Sequence, residues 1–237
     1  MDDLTVVIPV YNEEHSIIDH LHKELTSLGA EVIVVDDGSD KPYPLAIRHV
    51  QNIGYGEALV TGIRLSTRPL VMTIDGDGQH LVSECVKLYH AFKLIQDADM
   101  LIGFRRVKNE KFIRYIGRKL LNWTASIICT SWINDLNSGA RIFRRNIVYG
   151  YLPILCRTFS FTTSLTISLM ADNHRVEFFP INVKERRYGK SKVKLFKHGF
   201  ITLKYILWIG LALRTRKIRA WKRNLFSRLT GKHGLTQ

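Results

Sequence analysis

Three short runs, Leu4–Val10 (LTVVIPV), Glu31–Val35 (EVIVV) and Leu70–Ile74 (LVMTI), are apolar or β-branched at nearly every position, and each leads directly into a polar, acidic loop. A strand with one wet face alternates polar and apolar residues, whereas a strand covered on both faces reads as a continuous apolar run. Between the first two runs, Glu13–Leu28 carries Ile17, Leu21, Leu25 and Leu28 at helical spacing and closes at Gly29. Buried strands alternating with helices specify an α/β fold, a doubly wound and mainly parallel sheet. A further run, Met100–Gly103 (MLIG), reads as another strand with a basic exit at Phe104-Arg105-Arg106.

In sheets of this kind, ligands bind beyond the carboxyl ends of the strands. That edge here receives Tyr11-Asn12-Glu13-Glu14, Asp36-Asp37-Gly38-Ser39-Asp40 and Asp75-Gly76-Asp77. Three acidic loops and one basic loop on one rim suit a cation and an anion bound together. Residues i and i+2 of an extended backbone point the same way, so Asp75 and Asp77 can face one ligand while Gly76 permits close approach. Hard divalent ions such as Mg²⁺ or Mn²⁺ take oxygen ligands and commonly complete their shell with substrate phosphates, and Gln79 offers a third protein oxygen. The alternative is a turn that uses Asp and Gly for their backbone habits alone. His80 acquires no chemistry from its neighbours and reads as a structural histidine.

The net charge of +14 is unevenly placed: 16 of the 35 Lys and Arg residues, but one of the 21 acids, lie from Lys184 onward. The body is near neutral and the tail carries the excess. Such a tail can hold nucleic acid or an anionic membrane face, and charge alone does not separate the two. Phe200–Leu213 (FITLKYILWIGLAL) is apolar nearly all round apart from Lys204, and Arg214, Arg216, Lys217, Arg219, Lys222 and Arg223 follow it, with Trp208 and Trp221 as interface anchors. An apolar stretch of this length beside a basic cluster favours the cytosolic face of a membrane over nucleic acid, which calls for exposed aromatics. No run reaches the length of a transmembrane helix. Within Lys111–Ile133, Ile113, Ile116, Leu120, Trp123 and Ile127 recur at helical spacing with Arg114, Arg118 and Lys119 beside them. This amphipathic helix either turns its apolar side to the core or lies against lipid headgroups, and periodicity does not decide which.

Cys85, Cys129 and Cys156 are odd in number and widely spaced, so neither a disulfide framework nor a zinc site is expected. Asp2 and Asp3 stand where a secretory signal would carry basic residues, so no export signal is expected. With 237 residues the chain has room for one sizeable catalytic domain, expected over residues 1–194, and an apolar then basic tail over 195–237.

Six ordered stretches, VVIPVYNEE (6–14), VVDDGS (34–39), NIGYGEALVTG (52–62), DGDGQH (75–80), NSGARIF (137–143) and RYGKSK (187–192), resemble the GT-A fold glycosyltransferases of family 2. Within that family they are similar to the polyprenyl-phosphate sugar transferases of the dolichol-phosphate mannose synthase type. The resemblance covers about Leu4 to Lys194. It implies that Pro9, Tyr11, Glu13 and Gly54 line the nucleotide-sugar pocket and that Asp37 accepts from the base or ribose. Asp75, Asp77 and Gln79 would hold Mg²⁺ or Mn²⁺ on the donor diphosphate. Arg105 and Arg118 would neutralise phosphate, Arg118 that of the lipid acceptor. Ser138, Gly139 and Arg141 would form the acceptor-side floor, with Arg141 and Lys192 contacting phosphate, and Arg187, Ser191 and Lys192 would form a loop closing over the diphosphate. Asp135 is the candidate general base if the acceptor is a hydroxyl, since a phosphate acceptor already carries its nucleophilic charge. The sequence departs from the family where Lys41-Pro42 replaces the usual Gly-Thr, at Val82 in place of a common proline, and at Ala140 in place of a frequent aromatic.

The expected function is therefore inverting transfer of a hexose from a nucleotide sugar, GDP-mannose or UDP-glucose, to a polyprenyl phosphate, by a protein peripheral on the cytosolic membrane face. A membrane partner subunit is a further expected contact. The same fold acting on a saccharide or glycolipid hydroxyl, or serving as a silent membrane or polyanion scaffold, are the alternatives.

Overall fold

The computed structural model describes residues 1–105, 112–129 and 132–184. Its sheet contains β1 (Leu4–Val10), β2 (Glu31–Asp36), β3 (Ile47–Arg48), β4 (Leu70–Thr73), β5 (Met100–Arg105), β6 (Arg141–Arg144) and β7 (Val176–Ile181) in the spatial order 3-2-1-4-6-5-7. The helices are α1 (His15–Ser27), α2 (Tyr55–Leu65), α3 (Val82–Leu94), α4 (Phe112–Cys129), α5 (Arg145–Tyr149) and α6 (Phe161–Ala171). β1 lies at the centre and pairs in parallel with β2 (Val7 opposite Ile33) and with β4 (Val7 opposite Thr73). Among the described strands only β6 runs antiparallel, wedged between β4 and β5.

The uninterrupted apolar runs follow from burial on both faces. Leu4, Val6, Ile8 and Val10 of β1 meet Ile18, Leu21 and Leu25 of α1 and Leu88 and Phe92 of α3 on one side. Val7, with Val71 of β4 and Phe143 of β6, meets Leu59 and Ile63 of α2 and Phe161, Leu165 and Leu169 of α6 on the other. The expected α/β sheet is thus present, and the four expected runs are β1, β2, β4 and β5, while the short β3 was not foreseen. β6 is the departure. NSGARIF, whose sequence signal is its acceptor-side residues, ends in a core strand, with Ile142 and Phe143 fully buried.

α4 divides its surface differently from an ordinary core helix. Ala125, Leu121 and Cys129 turn inward to Ile133, Leu136 and, on α6, Ile167. Ile116, Leu120, Trp123 and Ile127, spaced by four, three and four residues, are 48%, 54%, 61% and 53% exposed. Four of the five apolar positions read from the sequence therefore form an outward stripe; the side chain of Ile113 lies outside the described residues. No described helix is long and apolar enough to cross a membrane, and the tail from residue 185 lies outside the described residues.

The end of β7 is fastened to α3 by a buried acid. Glu84 accepts from the backbone N–H of Asn182 at 3.1 Å and from the ammonium of Lys87 at 2.7 Å. Burial works to raise the Glu84 pKa, and the Lys87 and Asn182 hydrogen bonds outweigh it, leaving it below the ordinary 4.5. A depressed folded-state value gives stability that is present above the ordinary value and lost as pH falls through the lowered one. Glu84→Gln should accordingly lower the urea midpoint at neutral pH yet lose less stability than the parent on acidification below 4.5, read by urea unfolding across that range.

Candidate active site

The loops after β1 and β2 are laced into one rim. Asn12, with φ 50°, receives the Asp40 N–H on its side-chain oxygen at 2.8 Å and returns its amide to the Asp40 carboxylate at 3.1 Å. The Asn12 N–H donates to Ser39 Oγ at 2.8 Å, and Asp36 accepts from the N–H groups of Ser39 and Tyr43. Pro9 is buried at the end of β1, with Tyr11 and Glu13 half-buried beyond it.

Asp37 departs from its expected role. Its carboxylate accepts from the N–H of Ile53 at 3.0 Å and of Gly54 at 2.9 Å, and lies 2.9 Å from His49 Nδ1, with the residue 3% exposed. The turn entering α2 leaves these amides without helical partners, and a buried carboxylate satisfies them. Asp37 thus builds the turn that a nucleotide would meet, rather than presenting its oxygens to base or ribose. Gly54, at φ 117°, fills the tightest point of that turn, where a Cβ would stand 2.9 Å from the Arg157 carbonyl oxygen.

The DGDG loop lies at the centre of the rim. Asp75 Oδ1 accepts from the Tyr55 hydroxyl at 2.8 Å, and Oδ2 lies 3.5 Å from His80 Nε2. Beneath it, a Cβ on Gly139 would fall 2.4 Å from the same carboxylate, so only glycine leaves Asp75 its position. Burial works to raise the Asp75 pKa, while His80, Tyr55 and the charge of Arg105 outweigh it and hold the carboxyl below its ordinary value, ionised at neutral pH. Burial and the Asp75 charge push the Tyr55 phenol well above its usual value, which keeps it a donor. Asp77 is buried and accepts from the Gln79 N–H at 3.1 Å. Gln79 turns its amide nitrogen to the Lys184 carbonyl at 3.2 Å and accepts the Lys184 N–H at its own carbonyl, while His80 bridges to Val183. The chain leading toward Arg187, Ser191 and Lys192 therefore departs beside this loop; those three residues lie outside the described residues.

On the other side of Gly139, Arg105 meets Asp135 in a two-pronged ion pair, Nε to Oδ2 at 2.9 Å and Nη2 to Oδ1 at 3.2 Å. Asp135 is 2% exposed. Ser138, expected on an open floor, is buried and donates to the Gly103 carbonyl at 2.5 Å. Arg141 is fully buried beneath that floor: Nε donates to Ser138 O, Nη1 to Thr162 O and the Thr166 hydroxyl, and Nη2 to Leu136 O, all within 2.8–2.9 Å. With no exposed surface and four of its five N–H donors bonded to the chain, Arg141 shapes the floor and is not open to a phosphate. Burial lowers its pKa to about 10, still protonated at neutral pH. Arg118 belongs to α4, with its side chain outside the described residues.

Seven residues from Gly139, Trp132 begins the wall of a cavity of about 420 Å³ that lies against α4 and is lined by Ile116, Leu120, Trp123, Ile133 and Lys119 among others. An apolar cleft and the acidic rim thus share one short segment of chain.

The donor set fits a hard divalent cation. Asp75 and Asp77 supply anionic oxygens one residue apart, and a cation of the Mg²⁺ type is commonly held by one or two carboxylates plus substrate phosphates. Among the described residues no group of three or more His, Cys, Asp or Glu stands ready to enclose a metal, so the remaining positions fall to Gln79, water or substrate. Tyr55 is the residue that sequence reasoning missed, whereas His80, read as a structural histidine, is buried and lies against Asp75. Tyr55 stood inside a quoted stretch, but its contact with Asp75 spans 20 positions and has no local signature.

The glycosyl transferase family 2 model matches residues 5–162. An uncharacterized protein of Methanocaldococcus jannaschii is 36% identical over 60% of this chain, which spans 65% of that protein's length. Undecaprenyl-phosphate mannosyltransferase of Micrococcus luteus is 26% identical over 90% of this chain and 96% of its own. Glucosyl-3-phosphoglycerate synthase of Mycobacterium tuberculosis, solved with Mn²⁺, UDP and phosphoglyceric acid, superposes with a TM-score of 0.69 at 18% identity, covering 88% of this chain and 78% of that one. At that identity the likeness is one of fold.

Arg141→Met should fill most of the volume but leave buried acceptors without donors, lowering stability by about 3–5 kcal/mol in urea unfolding. A phosphate-binding arginine would instead leave the urea midpoint nearly unchanged.

Proposed function

We propose that this chain, which belongs to glycosyl transferase family 2, transfers a hexose from a nucleotide sugar of the GDP-mannose or UDP-glucose type to a polyprenyl phosphate, with inversion at the anomeric carbon. The work is done at the cytosolic face of a membrane. The observation that carries this reading is the outward apolar stripe of α4 and its cleft, joined by the segment 132–139 to the floor under Asp75. A soluble acceptor would need neither, whereas a phosphate on a long apolar chain must bring its tail to such a surface and its head to the rim. Exposed Trp and aliphatic residues on one helical face, with Lys119 alongside, are the side chains that seat in the headgroup region. The Micrococcus luteus relative, matched along nearly its whole length, bears a name of this activity.

The nucleophile is a phosphate oxygen of the acceptor, and the bond broken joins the anomeric carbon to the donor's diphosphate. Asp75, Asp77 and Gln79 would hold Mg²⁺ or Mn²⁺, which when bound stabilises negative charge on the departing diphosphate. Arg105, aimed by Asp135, adds positive charge beside the acceptor phosphate, and Arg118 adds the second. Gly139 supplies the close approach. Arg187, Ser191 and Lys192 close over the diphosphate from the chain that leaves Lys184. Pro9, Tyr11, Glu13 and the turn at Gly54 line the nucleotide side.

The geometry of Asp135 favours this acceptor over a saccharide or glycolipid hydroxyl. A hydroxyl needs a base that can receive a proton, while Asp135 is 2% exposed and gripped at both oxygens by Arg105. A phosphate needs none.

Purified protein supplied with a panel of nucleotide sugars and vesicles carrying polyprenyl phosphate should yield a lipid-linked sugar released by mild acid. Sugar-to-sugar linkage or transfer to a water-soluble hydroxyl as the sole product would refute the acceptor. Asp77→Asn should lower kcat by about a hundredfold or more if transition-state charge is met at this carboxylate. Ile127→Glu, on the stripe but outside the cleft wall, should release the protein from anionic vesicles in a flotation assay while sparing turnover of a short-chain, water-soluble prenyl phosphate.

A further inference from the structure

The two acidic loops are joined through the first turn of α2. Asp37 of the first loop fixes the Ile53 and Gly54 amides, which sets where α2 begins. Tyr55, the first residue of α2, then donates its hydroxyl to Asp75 of the second loop at 2.8 Å. Its ring stacks on Phe159, with centroids 5.6 Å apart and planes 13° from parallel. The segment bearing Phe159 is itself held against α2, since the Arg157 carbonyl accepts the Glu57 N–H at 3.2 Å and the Arg157 guanidinium pairs with the Glu57 carboxylate at 3.3 Å. The phenol therefore has little freedom, and neither has the carboxylate it holds.

A carboxylate on two rotatable bonds can turn away from a cation, and the cost of holding it falls on its hydrogen-bond partners. Asp75 is a third exposed, so bulk water competes for it on the open side. His80 approaches Oδ2 only at 3.5 Å, a weak restraint beside the 2.8 Å bond from Tyr55 to Oδ1. Gly139 fills the space below and offers no polar group from a side chain.

From this arrangement we infer that Tyr55 is a positioning residue for catalysis: its hydroxyl fixes the Asp75 carboxylate so that Asp75 and Asp77 present one face to the cation and donor diphosphate. In this role Tyr55 acts through Asp75. The inference rests on the family 2 reading of the DGDG loop. It also gives Asp37 a purpose, since the carboxylate that builds the α2 turn thereby sets the height of the Tyr55 hydroxyl.

Tyr55→Phe keeps the stacked ring and removes only the hydroxyl. The experiment measures Mn²⁺ binding to the full chain by electron paramagnetic resonance with UDP and, separately, GDP present, alongside binding of each nucleotide without metal by calorimetry. Steady-state turnover is followed at saturating Mn²⁺. The Tyr55→Phe chain should bind Mn²⁺ about tenfold more weakly in the nucleotide complex and lose kcat to a similar extent. Metal-free nucleotide binding, thermal midpoint and donor KM should stay near the parent's. A merely structural tyrosine would move the thermal midpoint and metal-free nucleotide binding together. That pattern, or Mn²⁺ affinity and kcat unchanged from the parent, would overturn the inference alone. A parent chain that binds no Mn²⁺ with either nucleotide would overturn the family reading of the loop and the inference with it.

Discussion

A single buried guanidinium ties together most of what surrounds the candidate site. Arg141 begins β6, the antiparallel strand among the described residues, and its donors reach the carbonyls of Leu136 and Ser138 on one side and the Thr162 carbonyl and Thr166 hydroxyl of α6 on the other. Taking a charge out of water costs several kcal/mol unless its hydrogen bonds are satisfied, and here four acceptors at good distance offset that cost. The consequence is geometric. The turn 136–139 is pinned to the sheet, Gly139 is held under Asp75, and Asp135 is brought within reach of Arg105. α6 can carry Thr163, Ser164 and Thr166 in the interior because those hydroxyls bond to nearby backbone, to Asn137 or to Arg141 itself.

The polar residues along the rim therefore fall into two groups that chemistry alone would not separate. Asp36, Asp37, Ser138 and Arg141 are buried and spend their hydrogen bonds on the chain, building turns and the floor. Asp75 and Gln79 in the DGDG loop and Arg105 at the end of β5 stay partly open, with Asp77 buried between the two loop residues. Precise loops at a strand edge are expensive because each exposes backbone amides and carbonyls, and the buried group meets that need. Tyr55 connects the two groups, since its place is set by Asp37 and its hydroxyl acts on Asp75.

α4 shows the same division at a larger scale. Its small and mid-sized residues face α6, and its bulky ones, Ile116, Leu120, Trp123 and Ile127, face outward. A contiguous exposed apolar stripe is uncommon on a protein surface unless something apolar meets it. Its position, one short segment from the floor of the rim, places the apolar and the anionic halves of an amphiphilic acceptor within one molecule's reach.

The sheet, its strand-to-helix alternation and the acidic edge were legible in the sequence because burial on both faces leaves continuous apolar runs, and because loops at carboxyl edges concentrate polar residues. The strand limits at Leu4–Val10 and Leu70 and the helical spacing of Ile113–Ile127 needed only local pattern. What the sequence by itself determined was thus which residues lie on the rim. It could not determine which of them are spent on the fold. Asp37 and Asp75 sit in similar strand-end loops, and Arg105 and Arg141 are both basic residues at strand ends; each pair is told apart only by partners 12 to 25 or more positions away. The direction of the α4 stripe was likewise a tertiary matter, since a helix of that period turns its bulky face wherever the neighbouring surface is already filled. That neighbouring surface is Ile133 and Leu136 with Ile167 of α6, and the buried Arg141 ties Leu136 and α6 to the start of β6 beside Gly139.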